Sequence, residues 1–215
     1  MVLAIPIAVG LAWRTVVVAP RQAATARVAA AVEPTGAALK RVSLPMLAVP
    51  AFGEPSPGDP QDEPAPLGSE DATTLGQLEL RLAPMLATAP TVADVPRLLA
   101  PARLARGQDR LARLAWEALL SSGSGAAVEE ARVGLAVVAI RIALRREGEQ
   151  DRSFALERAL GHLAEVPEES PWADDARFDR AVALVLLDRN EEAMEQLDDL
   201  SDERSELLSQ WMSSR

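Results

Sequence analysis

Residues 167–200 read PEESPWADDARFDRAVALVLLDRNEEAMEQLDDL. Ser170-Pro171 predicts a helix start. A serine side chain can accept an orphan N–H there, and a first-turn proline has no N–H to waste. Asp174 and Asp175 then fall in the first turn, where negative charge suits the helix dipole. The apolar run to about Leu187 continues the helix. Asp188-Arg189-Asn190 predicts a turn, with Asn190 capping a second helix to Leu200 and Glu191 and Glu192 in its first turn. Ala176, Ala181 and Ala193 place small residues where two helices would touch, with Leu197 below them. The stretch therefore predicts a helical hairpin.

Working back from Pro167, the same helical period persists. Leu75, Leu78, Leu82 and Met85 or Leu86 follow three- and four-residue steps from Thr73 onward. Pro84, Pro90 and Pro96 are expected to keep the early helices short. Ala102–Leu120 predicts a longer helix, stopped at Ser121-Ser122-Gly123. Ser124 or Gly125 starts another, to about Arg146. Its middle, Val133 to Leu144, is apolar all round except Arg141, as expected of a central core helix. Asp151 is expected to cap the next, which carries Phe154, Ala155, Leu156, Ala159, Leu160 and Leu163. Downstream, Ser201 caps a last helix with Leu207, Leu208, Trp211 and Met212.

Upstream of Thr73 the composition changes. Residues 44–68 hold seven prolines, with Gly53, Gly58 and Gly68. Such a segment cannot keep a helix or a sheet ladder and reads as an extended spacer. Charge divides the chain at the same place. Residues 1–50 carry five basic side chains against Glu33, whereas residues 51–71 carry six acids and no base. We therefore expect an N-terminal segment 1–43, an acidic Pro-rich linker 44–71 and an all-α domain 72–215.

Residues 2–19, VLAIPIAVGLAWRTVVVA, are apolar except for Arg14 and Thr15. Eighteen residues of helix rise about 27 Å, against a hydrocarbon core of about 30 Å. Arg14 falls inside that span, where it would cost about 2.5–3.5 kcal/mol. If the run ends at Trp13, its length suits a signal-peptide core, with Ala24-Thr25-Ala26 as the best small-residue cleavage site. Membrane anchor, cleaved signal and packed soluble segment stay open from the residues. We expect membrane association through residues 2–19 and a membrane or envelope location, the periplasmic side favoured over the cytoplasm.

The chain also matches itself. Ala155 and Ala193 stand 38 residues apart in second helices, and Ala143 and Ala181 stand twelve residues before them. Repeated hairpins with small residues at such points bury one continuous core. With Pro167, Ser170, Ala173, Ala176, Ala181, Leu187, Glu191-Glu192-Ala193 and Leu197, the stretch resembles a tetratricopeptide repeat. The resemblance is to the longer kind found in bacterial envelope proteins, the Tol–Pal-associated protein and the barrel-assembly lipoprotein among them. It implies antiparallel helix pairs, about two of them, closed by a terminal capping helix, and a protein-binding adaptor role. Three features depart from the pattern: Leu184 and its neighbours replace the usual first-helix aromatics, Asp188 stands at the expected turn glycine, and there is no lipoprotein cysteine.

Composition limits the chemistry. Without cysteine there is no disulfide, thiolate metal site or cysteine nucleophile. A net charge of −10 disfavours a nucleic-acid partner. His162 is the single histidine, with no second imidazole for a metal and no evident nucleophile beside it. Asp174, Asp175, Glu191, Glu192, Asp198 and Asp199 fit first turns and solvated faces. Gly123-Ser124-Gly125 lacks the lysine of a phosphate loop. No cofactor or metal is expected, and no catalytic residue. Trp116, Trp172 and Trp211 are read as core residues or as anchors for a protein partner. The helix-pair contacts are assigned to Ala143, Ala155, Ala176, Ala181, Ala193 and Leu197. The expected role is a non-enzymatic adaptor. A cytoplasmic domain of a membrane-anchored sensor and an enzyme on a helical scaffold are the alternatives.

Overall fold

The computed structural model describes residues 69–88, 94–145, 148–198, 200 and 203–213. The expected segment 1–43, with residues 2–19, and the Pro-rich stretch up to residue 68 lie outside the described residues. Among the described residues there are eight helices and no strand. None of these helices is long and apolar enough to cross a membrane.

The first helix, α1 (Ser69–Thr88), starts three residues before the expected boundary and runs through Pro84. The expectation that Pro84 ends it fails for a physical reason. Leu75, Leu78 and Leu82 are fully buried and Met85 and Leu86 pack beside them. An apolar stripe on both sides of the proline offsets the roughly 3 kcal/mol that an interior proline costs.

The expected long helix 102–120 is two helices, α2 (Asp94–Ala105) and α3 (Asp109–Ser122). Pro96 sits in the first turn of α2, where its missing N–H is harmless, so it starts a helix rather than stopping one. Between α2 and α3 the chain turns at Arg106-Gly107-Gln108. Gly107 has φ +71°, its N–H donates to Leu104 O at 3.0 Å, and the Gln108 N–H donates to Arg103 O at 2.9 Å. This pair of bonds is a Schellman ending, which needs a left-handed residue at that position. The end of α3 at Gly123 matches the sequence reading.

Next, α4 (Ala126–Leu144) is the central helix. Residues 133–140 are buried without interruption, as the all-round apolar run predicted. It touches α2 and α3 on one side and, on the other, α5 (Glu149–Ala164) and α6 (Ala173–Leu186). α5 starts at Glu149, so Asp151 sits in the first turn instead of capping it. Its inward stripe is Leu156, Ala159 and Leu163. Phe154, two residues off that stripe, is 69% exposed.

α6 starts at Ala173, two residues later than the Ser170-Pro171 reading, about half a turn. Ser170 still acts locally: its Oγ accepts the Trp172 N–H at 3.0 Å and donates to Glu129 Oε2 at 2.8 Å. The turn to α7 (Asn190–Leu197) repeats the α2–α3 ending. The Asp188 N–H donates to Val185 O at 3.0 Å and the Arg189 N–H to Leu184 O at 2.9 Å. Asp188 takes φ +60°, the left-handed conformation a glycine would otherwise hold. Asn190 opens α7 without a side-chain cap, and the helix stops at Leu197, short of Leu200. Finally, α8 (Glu203–Ser213) packs on α6 and α7. The expected cap Ser201 lies outside the described residues.

The helices form two layers. α2, α4, α6 and α8 each touch the next but one, while α3, α5 and α7 each pack against their chain neighbours. The register between the second-layer helices follows from their starts. Ala112, Arg152 and Ala193 stand fourth in α3, α5 and α7, and Trp116, Leu156 and Leu197, all buried, stand eighth. α3, α5 and α7 thus begin about forty residues apart, with Ala155 seventh in α5 and Ala193 fourth in α7.

Candidate functional site

Charged side chains tie each helix to the next, and their placement decides which surfaces remain open. Glu79 on α1 accepts from Arg103 Nε at 3.1 Å and also from Arg106. Arg103 is nearly buried and also donates to Leu111 O at 3.2 Å. One guanidinium therefore joins α1, α2 and α3, using the fixed fork geometry that suits several acceptors at once. Asp109, the first residue of α3, is buried between two cations, Arg141 of α4 and Arg145 just after its end. Arg141 Nε lies 3.2 Å from its Oδ1, and Arg145 Nη1 donates to its Oδ2 at 2.5 Å. The carboxylate also faces the positive end of its own helix.

Across the first layer, Arg97 Nε on α2 stands 2.6 Å from Glu130 Oε2 on α4. Burial pushes the Glu130 carboxyl above the usual range, and Arg97 only partly offsets this. Desolvation therefore outweighs attraction at this pair. Arg132 on α4 pairs with Glu165 at the end of α5. On the second layer, Arg189 donates to both oxygens of Glu192, at 2.6 and 2.5 Å, and reaches Glu157 on α5 at 3.4 Å. These hydrogen bonds raise Arg189 and lower Glu192 from their ordinary values.

His162 is half-buried on α5. Burial lowers its pKa first, and the nearby Arg158 and Arg132 lower it further against Glu165 and Glu117. Burial and the two guanidinium groups thus favour the uncharged imidazole. Among the described residues no three His, Asp or Glu side chains are grouped as metal ligands.

The tryptophans separate into different environments. Trp116 is fully buried. Its ring lies against α4 so closely that a Cβ on Gly134 would stand 2.2 Å from Trp116 Cε2. It fills the core and presents nothing to a partner, which corrects its reading as an anchor. Trp172 is half-buried against the core at the entrance to α6. Trp211 belongs to α8, and its side chain lies outside the described residues. Of the six helix-pair residues, Ala143, Ala176, Ala181, Ala193 and Leu197 are buried and Ala155 is half-buried.

One open concavity lies at the start of the stack. A groove of about 660 Å³ runs along α1, lined by Gly76, Gln77, Leu80, Ala83, Pro84 and Arg106. Leu80 within it is 79% exposed. Neither this groove nor the buried Asp109, Glu130 and Arg103 was evident from sequence. The second of two adjacent acids leading into an apolar helix, Glu130 after Glu129, was the available signal. Gly134 in the middle of a good helix was another, since glycine there costs about 1 kcal/mol unless something must come close.

No protein-family model matches the chain, and no curated protein or solved structure does.

Proposed function

We propose that this protein is a non-enzymatic, protein-binding scaffold of stacked helical hairpins, tetratricopeptide-like, held at a membrane or the cell envelope through residues 2–19. The observation that carries the reading is the layering. α2, α4, α6 and α8 touch the next but one, and α3, α5 and α7 pack behind them. Stacked hairpins produce this pattern because each pair buries its apolar face on the next. The α2–α3 and α6–α7 turns share one hydrogen-bond scheme. The second-layer helices begin about forty residues apart. These features support three hairpins, α2–α3, α4–α5 and α6–α7, with α8 as the closing helix.

A stack of this kind offers an extended surface along its first layer, suited to a peptide or helix of a partner. Trp172 is the aromatic candidate on it, and Trp211 is a candidate anchor from the sequence alone. The net charge of −10 favours a partner with a basic surface, because complementary charge speeds encounter. The test is capture by the full chain, with mass spectrometry of the retained proteins at low and at high salt. A scaffold retains a defined protein at near-equal amount, less of it as salt rises. Retention of no protein at either salt contradicts the reading. Removing residues 2–19 is expected to move the chain out of the membrane fraction.

A further inference from the structure

The second layer carries apolar side chains that the fold does not cover. Of the six large apolar residues exposed among the described residues, four stand on its helices: Leu111 and Leu114 on α3, Phe154 on α5 and Met194 on α7. Exposed apolar groups that gather on one surface mark an interaction site. Leu114 and Phe154 each stand two positions before the buried eighth residue of their helix, Trp116 and Leu156. Two residues turn an α-helix by about 200°, so both point away from the core. Met194 lies on a flank of α7, next to the buried Ala193. α5 runs between the other two helices: its His162 feels Glu117 of α3, and its Glu157 is reached by Arg189 just ahead of α7. Gly161 shares the face of Phe154, seven residues on, and an added Cβ there would meet no other element within 4 Å. A glycine inside a helix that the fold itself does not need leaves room for an outside surface to come close.

We propose that this face is the interface of a two-fold homodimer, with Phe154 on the symmetry axis and α3 of each copy over α7 of the other. Charge selects both the second copy and its orientation. Arg113 is paired with Glu117 inside α3, and Arg189 with Glu192 beside α7. Once these are set aside, α3 keeps Arg110 exposed and α7 keeps Glu191, Glu195 and Asp198, none of the four in an ion pair among the described residues. An axis parallel to the second-layer helices exchanges α3 and α7 and leaves the helix direction unchanged. Arg110, second in α3, then meets Glu191, second in α7, and Leu114 meets Met194. Glu157 and Arg158 follow Phe154 by three and four residues, on opposite sides of it, and Glu157 is the one toward α7. The same rotation therefore lays Arg158 over Glu157 of the other copy, while the two Phe154 rings pack on each other. An axis across the helices would instead set α3 on α3 and α7 on α7, like charge on like. A uniformly basic partner would suit α7 alone, whereas a second copy suits all three helices at once. The first layer stays open for the partner assigned to it.

The test follows association of the full chain in mild detergent by sedimentation equilibrium. A monomer–dimer equilibrium is expected. Phe154→Glu should raise the dimer dissociation constant by roughly ten-fold or more, since it places a charge at the centre of the interface. Arg110→Glu and Glu191→Arg each bring like charges together and should each raise it by about five-fold or more. The double variant Arg110→Glu with Glu191→Arg restores the attraction and should return to within about two-fold of the native value, because the two sites are coupled. Phe154, Arg110 and Glu191 are all exposed, so helical content should stay native in every variant. A chain that remains monomeric overturns the proposal. So does association that Phe154→Glu leaves unchanged, which assigns it to residues 2–19 or to another face. A double variant no tighter than the single ones overturns it too, because the exchange of α3 and α7 requires the rescue. The first-layer partner is scored separately, as a protein of different mass, so either reading can fail without the other.

Discussion

At Gly134 the backbone of α4 meets the ring of Trp116 with no room for a methyl group. Cores are packed to crystal-like density, so an added carbon must move the indole or the helix. Gly134→Ala is expected to destabilise the protein by about 1–3 kcal/mol or more, read by chemical denaturation. The cost should fall by at least half in a Trp116→Leu background, since the two changes share one contact. Additive losses would show that the ring is not what the glycine accommodates. Asp188 gives the opposite sign. It holds a left-handed backbone at φ +60° that glycine adopts without strain. Asp188→Gly should raise stability by about 0.5–1 kcal/mol. The sequence marked Asp188 as standing at a glycine's place, and the Schellman bonds explain why the substitution is tolerated. It did not mark Gly134, because the need for it lies on another helix.

Among the elements, the α6–α7 hairpin is where local signals were strongest. Acids in the first turns, small residues inside and a three-residue turn all agree with the observed pair. Ala181 and Ala193 are both fully buried. Ala181→Trp or Ala193→Trp is expected to cost about 1–3 kcal/mol or more through overpacking, and unchanged thermal unfolding in both would place them on the wrong face. Boundaries were less legible. Pro84 and Pro96 read as stops because a proline's local cost is visible in sequence, whereas the burial that outweighs it is not. The break at Gly107 was hidden inside a continuous apolar period. On α5, His162 has a folded-state pKa below its ordinary 6.5. Its contribution is therefore present above that value and is lost as pH falls through the lowered one. Melting temperature followed from pH 7 to 5 should drop more steeply in the native chain than in His162→Gln. Parallel profiles would contradict this placement of the imidazole.

At the scale of the molecule, the all-helical class of the described residues and the buried central helix were written in the periodicity, since Val133 to Leu144 has no polar side to turn outward apart from Arg141. The charged joints between helices were not, because Asp109, Arg141 and Arg145 come together only when α3 and α4 pack. The layered stack rests on such long-range meetings, and so does the surface we assign to a partner. The most direct measurement is photo-crosslinking of the full chain in cells. The reactive residue replaces, one at a time, the exposed first-layer positions Asp94, Arg97 and Asp174, and the second-layer positions Glu157, Glu191 and Asp198. The account predicts one defined protein adduct concentrated at the first-layer positions. Adducts confined to the second layer, or no adduct at any of the six, would contradict it.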